Sequence, residues 1–398
     1  MQTIRSAALN GSTEEGAPLD VLLFVEDPGA ANFVALLPDA LSKAGLEYTV
    51  VAVGPAADQL SHLQCAFRTK RDRLRPDDVL VPLRPRVVVV GTSENPDAIG
   101  LDIIATSRQL EIPTIGVIDG PANEKHRFRG NGSEPLEFAP DWLLVADSST
   151  KTSYANLGFP TVRIIVCGHP HYDYVRRERD RLQAVGKAVL REKLLPNAPE
   201  GRPILLFAAE RSTGLADSQF TRSDEYMLAG RGGSDRRTDI VLEEVLDACE
   251  TLNPAPYFVL RLHPKNDPEE FSPYLREIDA ISRGGLALEI IAACDAVVGL
   301  TSILLTEAAL MGRPTLSVLP RSQERRWLTS ISQSVTPIVN CREDIPSALQ
   351  AVLARSTFDP TELDQIAPLG AAERVASVVS NVLERRQLHW TENGGAIA

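Results

Sequence analysis

The sequence predicts an α/β chain made of two parallel-sheet domains, each wound with helical crossovers. Three observations lead there. From Asp20 onward, short and almost wholly apolar runs of Val, Ile and Leu alternate with helical stretches. Strands buried on both faces read as continuous apolar runs, whereas strands with one wet face alternate. The rhythm breaks once, near residues 167–199, and then restarts, and 398 residues is too long for one ordinary core.

Taken in order, the first-domain strands are expected at 21–25, 48–53, 86–90, 114–118, 142–146 and 162–166, with helices at 33–44, 98–110 and 151–157. A charged helix over 174–193 leads to Pro196-Asn197-Ala198-Pro199, a boundary signal. The second set of strands falls at 204–207, 257–262, 296–298, 315–319 and 338–339. The last long helix carries Val375, Val378, Val379, Val382 and Leu383 at one-face spacing, the periodicity of a docking helix. The expected layout is a disordered lead over 1–18, an N-terminal domain over 19–173, a C-terminal domain over 174–370, a closing helix over 371–390 and a tail over 391–398. The two domains are expected to face a central cleft, where ligands bind beyond the carboxyl ends of the strands.

Composition narrows the function. A formal charge of −12 opposes a general nucleic-acid surface, yet permits one anionic small molecule in a local basic site. Cys65, Cys167, Cys249, Cys294 and Cys341 lack CxxC spacing. They read as reduced thiols of a cytoplasmic protein, not as a disulfide frame or zinc site. No run approaches the roughly 18 apolar residues of a membrane span, and the start has no basic-then-apolar signal pattern. Peripheral contact with the inner face of a membrane is left open by composition, as is a homodimer.

Residues 293–320 are the most informative. Ala296-Val297-Val298 reads as a buried strand, and Gly299-Leu300-Thr301-Ser302 turns the chain into a helix that ends at Gly312. Hydroxyls at a helix N-terminus, just past the end of a parallel strand, suit an anion: backbone N–H groups point outward and the helix dipole favours negative charge. Glu307 follows Ser302 by five residues, within reach of sugar hydroxyls if a phosphate sits on the cap. A plain N-cap accounts for Thr301 and Ser302 without any ligand, so both readings stand. Residues 210–238 hold five arginines (Arg211, Arg222, Arg231, Arg236, Arg237) among scattered glycines. A loop of that length is either a lid whose arginines clamp phosphate or a solvated insertion.

Four segments then carry a resemblance. Cys294 to Ser302 followed by Glu307-Ala308-Ala309-Leu310-Met311-Gly312-Arg313-Pro314, Gly168-His169-Pro170 with Asp173, Arg261-Leu262-His263-Pro264, and Gly370 to Val375 occur in one order. Over residues 21–382 this resembles the GT-B class of nucleotide-sugar glycosyltransferases, whose relatives include hydrolysing UDP-N-acetylglucosamine 2-epimerases and CDP-glycerol glycerophosphotransferase-like proteins. The chain departs from the epimerases, which have a Ser-Gly-Gly turn where Thr301-Ser302-Ile303 stands. Val25 to Asn32 is somewhat similar to the first loop of lipid A disaccharide synthases.

The resemblance implies a GT-B fold and metal-independent transfer of a sugar or similar group, of the kind used in polysaccharide biosynthesis. The donor would be a nucleotide-sugar acting as substrate with no other cofactor, and the acceptor a sugar, lipid-linked or small molecule. A hydrolysing sugar-nucleotide 2-epimerase and a non-catalytic nucleotide-sugar binding protein are the alternatives. Such chemistry needs a base and a neutralised leaving group. Asp27 leads for the base because it follows the first strand and precedes Pro28-Gly29; Glu94, Asp119 and His126 are rivals on later loops. The nucleotide side is assigned to Glu210, Arg211, His263, Lys265, Thr301, Ser302 and Glu307, with Gly29 and Asn32 in the first loop. His169 and His171 are expected to be structural.

Overall fold

The structure, a computed structural model, describes residues 7–8, 19–70, 73–211, 220–355 and 360–393. It divides into two compact units, one of residues 1–173 with 368–398 and one of residues 174–367.

The first unit carries β1 (Ala7–Ala8), β2 (Val21–Val25), β3 (Tyr48–Ala52), β4 (Arg68–Thr69), β5 (Val87–Gly91), β6 (Thr114–Val117), β7 (Trp142–Val145) and β8 (Ile164–Val166). They form one parallel sheet in the order β1-β4-β3-β2-β5-β6-β7-β8. All residues of β2 and β5 are buried, as continuous apolar runs demand. Phe33, Leu37, Leu41 and Leu60 cover one face and Ile103, Ile104, Phe128 and Tyr154 the other. The expected helix over 33–44 is two helices, Pro28–Val34 and Leu37–Lys43. Both begin with proline at a first-turn position, where its missing N–H costs nothing. Short helices at Pro55–His62 and Asp77–Leu83 escape a reading by periodicity.

The terminal helix Ala371–Asn393 packs on this first unit, burying Val375, Val379, Val382 and Leu383. Its start is capped by Asp173, whose Oδ2 accepts from Gly370 N at 3.0 Å and Ala371 N at 3.2 Å. Of the expected disordered lead only Ala7–Ala8 lies within the described residues, and residues 394–398 lie outside them.

The second unit carries β9 (Ile204–Ala208), β10 (Tyr257–Arg261), β11 (Ala280–Ser282), β12 (Ala296–Gly299), β13 (Thr315–Val318) and β14 (Ile338–Val339). Their order, β11-β10-β9-β12-β13-β14, is again wholly parallel. The charged stretch over 174–193 is two helices, Pro170–Val185 and Lys187–Leu194, broken at Gly186 with φ of 89°. In both sheets the first long strand is central, and the chain winds to one edge before returning to build the other. Strand direction of winding therefore reverses between β2 and β5 and between β9 and β12, and the loops following those strands are where open parallel sheets bind ligands. Among the described residues no helix is long and apolar enough to cross a membrane.

Candidate active site

At the first unit's reversal point β2 delivers Glu26 and Asp27, β5 delivers Glu94, and the neighbouring β6 delivers Asp119 two residues past its end. Asp27 occupies the N-cap position of helix Pro28–Val34 with extended backbone, but its side chain makes no capping hydrogen bond. The capping carboxylate is instead Glu26, which accepts from Ile99 N and Gly100 N, both at 3.0 Å, and so closes the helix after β5. Asp119 pairs with the buried Arg127 at 2.7 Å, its side chain 22% exposed. Burial raises its pKa, Arg127 opposes that rise, and the negative charges of Glu94 and Asp27 add to it. Gly29 is essential to this packing: a Cβ there would stand 1.8 Å from Asp119 Oδ2.

His126 completes the group. Burial and Arg129 depress its pKa, against the pull of Glu124 and Glu94, and its buried Nδ1 makes no hydrogen bond. Thus Asp119 lies within electrostatic reach of Asp27 and Glu94, and His126 within reach of Glu94, so the four candidates, drawn from three separate loops, are linked in a chain of interactions. Among the described residues no three His, Cys, Asp or Glu side chains are grouped closely enough to hold a metal ion. Asn32 stands apart, its Oδ1 accepting from Gln59 Nε2 at 2.6 Å.

At the second unit's reversal point, β9 delivers Glu210 and β12 delivers Thr301 and Ser302. The helix after β12 is Ile303–Leu310, and Ser302 caps it, its Oγ accepting from Leu304 N at 3.2 Å. The Thr301 amide also has an acceptor, Glu210 Oε1, while Thr301 Oγ1 lies 3.0 Å from Glu210 Oε2. Arg237 locks the arrangement. Its Nη1 donates to Glu210 at 2.6 Å, its Nη2 to Thr301 Oγ1 at 3.2 Å, and its Nε to Glu324 at 2.9 Å. The wholly buried Glu324 is bonded in turn by Arg321 Nε at 2.6 Å. Both guanidinium groups lie over Trp327, at 5.7 and 5.6 Å. Two arginines and two glutamates balance, which is what lets such charges stay buried.

The remaining nucleotide-side candidates are dispersed around this core. His263 Nδ1 accepts from Lys265 N at 3.1 Å, which leaves Nε2 to carry the proton of the neutral ring. The Lys265 side chain is exposed. Arg211 is half-buried. Glu307 is 5% exposed and acts electrostatically on Arg261, whose own burial lowers its pKa.

The lid expected over 210–238 takes another form in its described part. Arg222 pairs with Asp235, Arg231 with Asp247 and Glu277, Arg236 with Asp239, and Arg237 opens the helix Arg237–Glu250. Glu243 and Glu244 of that helix accept the backbone amides of Ala229, Gly230 and Arg231. Carboxylates of the same unit thus hold Arg222, Arg231, Arg236 and Arg237, four of the five arginines expected to clamp a ligand; residues 212–219 lie outside the described residues. Sequence reasoning passed over Glu26, Arg127, Glu324 and Arg321. Glu26 and Arg237 reach partners 73 to 87 residues away, a separation at which no local spacing gives a signal.

No protein-family model and no curated protein matches the chain. Solved structures do. A UDP-GlcNAc 2-epimerase from Neisseria meningitidis bound to UDP-GlcNAc superposes with a TM-score of 0.61 at 13% identity, over 92% of this chain and 100% of that one. The enzyme from Methanocaldococcus jannaschii in complex with UDP-GlcNAc and UDP gives 0.62 at 12% identity, over 91% and 100%. The wall teichoic acid polymerase TagF gives 0.52 at 11% identity, over 92% and 90%. The chain therefore has the GT-B fold, with parallel sheets of the same kind in both units.

Proposed function

We propose that this protein is an enzyme acting on a nucleotide-diphosphate-linked sugar or similar group. It would break the bond to the diphosphate without a metal and pass the group to an acceptor hydroxyl. The observation that carries this reading is the convergence of Asp27, Glu94 and Asp119 at the reversal point of the first sheet, with Asp119 biased toward its protonated form. A carboxyl so biased keeps its proton to a higher pH than an ordinary Asp, which suits a proton donor better than a group ionised at ordinary acidity. Asp27, whose side chain does no capping, serves as the base toward the acceptor.

The nucleotide belongs to the second unit in this reading. A diphosphate oxygen would exchange with Glu210 at the Thr301 amide, one anionic acceptor replacing another, and Arg237 would remain paired. The His263 Nε2–H would supply a further donor to the leaving group, and Glu307 would accept from the ribose. The solved structures bound to UDP-GlcNAc and UDP support the choice of ligand class by analogy of fold.

A hydrolysing epimerase is the second reading, favoured by the number of carboxylates: three exceed what deprotonating one acceptor requires. One experiment separates the readings. The melting temperature is recorded with a panel of nucleoside diphosphates and their sugars, where a bound ligand must raise it. The stabilising donor is then incubated alone and with candidate acceptors. Diphosphate release that depends on an acceptor supports transfer, while release without one supports the epimerase. No melting shift with any member of the panel sinks both.

A further inference from the structure

All of β13 is buried, yet Thr315 and Ser317 on it carry hydroxyls. A buried hydroxyl costs free energy unless it is bonded. Thr315 Oγ1 is bonded to Thr336 Oγ1 at 2.7 Å. Ser317, with no exposed surface, donates its one hydroxyl proton to the carbonyl oxygen of Leu300 at 2.6 Å. The register explains the reach. Ser317 stands beside Gly299, the last residue of β12, and Leu300 is the first residue past that strand. Leu300 is itself wholly buried, so its carbonyl needs a donor from the protein, and the hydroxyl supplies one.

We propose that Ser317 is the positioning residue for the Thr301 amide, turning its N–H toward the place a diphosphate would occupy. The inference deepens, and rests on, the reading of that amide as a donor to phosphate. The Leu300 carbonyl and the Thr301 N–H belong to one planar trans peptide, in which the two bonds point in opposite directions. Ser317 holds the oxygen on one side, so the N–H faces the other way, where Glu210 Oε1 accepts it. The hydroxyls closer to this amide have other tasks. Ser302 Oγ accepts from Leu304 N at 3.2 Å, and Thr301 Oγ1 lies 3.2 Å from Arg237 Nη2 and 3.0 Å from Glu210 Oε2. Without the Ser317 hydroxyl a buried carbonyl is left short of its donor. The peptide then rotates toward another and takes the amide with it.

The full chain is labelled with 15N-threonine, and the Thr301 amide signal is identified by its loss in Thr301→Ser. The buried Thr315, on the same sheet, reports the stability of the unit. Ser317→Ala removes the hydroxyl alone, and Ser317→Thr keeps it. In Ser317→Ala the Thr301 amide should move upfield as its bond to Glu210 lengthens, and exchange with solvent about tenfold faster or more relative to Thr315. Ser317→Thr should hold the wild-type resonance and rate. An unmoved Thr301 signal in Ser317→Ala, or equal acceleration at Thr301 and Thr315, overturns the proposal and leaves Ser317 a packing residue. If the alanine variant does not fold, Ser317→Cys, a weaker donor, is read the same way: an upfield Thr301 supports the proposal and an unmoved one rejects it. Inorganic pyrophosphate then probes the site. It should shift the Thr301 amide of the wild type, with a Kd about tenfold higher or more in Ser317→Ala; an equal Kd in the two removes the positioning role. A Thr301 signal that pyrophosphate leaves in place sinks the reading of this amide as a phosphate donor, while the spectra of the variants still decide whether Ser317 orients it.

Discussion

Replacing Glu324 by glutamine tests whether the second unit's reversal point is held by charge. Glu324 is wholly buried and accepts from Arg237 Nε at 2.9 Å, Arg237 Nη2 at 2.5 Å and Arg321 Nε at 2.6 Å. An amide of the same shape has one oxygen only, so its NH2 must face one guanidinium donor head-on, and a buried positive charge is left over. Breaking a buried pair from one side costs about 3–5 kcal/mol. Arg237 keeps Glu210 at 2.6 Å, which places the expected loss near the bottom of that range, ~3 kcal/mol. With a urea dependence of about 2–3 kcal/mol per molar, the midpoint should fall by about 1 M. The assay reads Trp327 fluorescence in a Trp142→Phe, Trp390→Phe background, because Arg237 and Arg321 both lie over that indole. The control is Arg321→Met with Glu324→Leu, which removes one charge of each sign and leaves the Arg237–Glu210 pair balanced. It should cost less than the single glutamine substitution. A single-variant loss under about 1 kcal/mol, or a double variant that is the weaker of the two, refutes the charge-balance argument.

Four further outcomes follow. Asp119 has a folded-state pKa above its unfolded value, so between the two the folded chain binds more protons and stability falls as pH rises; Asp119→Asn should lack that fall when urea midpoints at pH 4 and pH 6 are compared. Asp295 behaves oppositely: despite burial, bonds from Lys187, Arg191 and Ile204 N lower its pKa, giving stability that is complete above the unfolded value and lost as pH falls through the folded one. Asp295→Asn should therefore cost about 1.5–3 kcal/mol at pH 7, with the gap narrowing in melts from pH 5 to pH 3. Gly29→Ala, which would gain about 1 kcal/mol in an unobstructed helix, should destabilise instead and displace Asp119, checked by urea melts beside the wild type. The thiols of Cys65, Cys167, Cys249 and Cys294 are buried and pushed up to about 11 or 12; a disulfide reagent at pH 8 should count one fast thiol, Cys341, in the native chain and five after denaturation.

The strands were legible because burial on both faces forces continuous apolar runs, as in Val87–Gly91 and Ile204–Ala208. Two-residue edge strands such as Arg68–Thr69 bury too little to leave such a pattern. Proline also misled: Pro38 lies inside what reads as one helix over 33–44 and in fact begins the second of two. Among site residues, Asp27, Glu94 and Asp119 were accessible to reasoning because each follows a recognisable strand. What each carboxylate binds was not. Thr301 and Ser302 read as donors and cap, but nothing local indicates that the Thr301 amide is taken by Glu210, 91 residues earlier. The arginines of 222–237 read as clamps for a ligand because their carboxylate partners are scattered: Asp235 lies in the loop itself, Asp239 and Asp247 on the following helix, and Glu210, Glu277 and Glu324 farther off.

The two reversal points solve one electrostatic problem in the same way. A parallel strand feeding a helix leaves outward-facing amides that must find acceptors. In the first unit the loop after the central strand sends Glu26 across to the amides of Ile99 and Gly100, at the helix that follows β5. In the second unit the corresponding loop sends Glu210 across to Thr301 N. Each carboxylate stands on the strand next to the helix it serves, because β2 adjoins β5 and β9 adjoins β12. The winding order, not the local sequence, makes the contact possible. The difference lies in what backs the carboxylate. Glu210 is paired with Arg237, itself balanced by Glu324, so the carboxylate is backed by a buried positive charge. Glu26 is followed at once by Asp27 and lies in a loop facing Glu94 and Asp119, where a further anion meets repulsion. Charge thus distinguishes the two reversal points: buried arginines back the carboxylate of the second, whereas Asp119 of the first has the like charges of Asp27 and Glu94 near it.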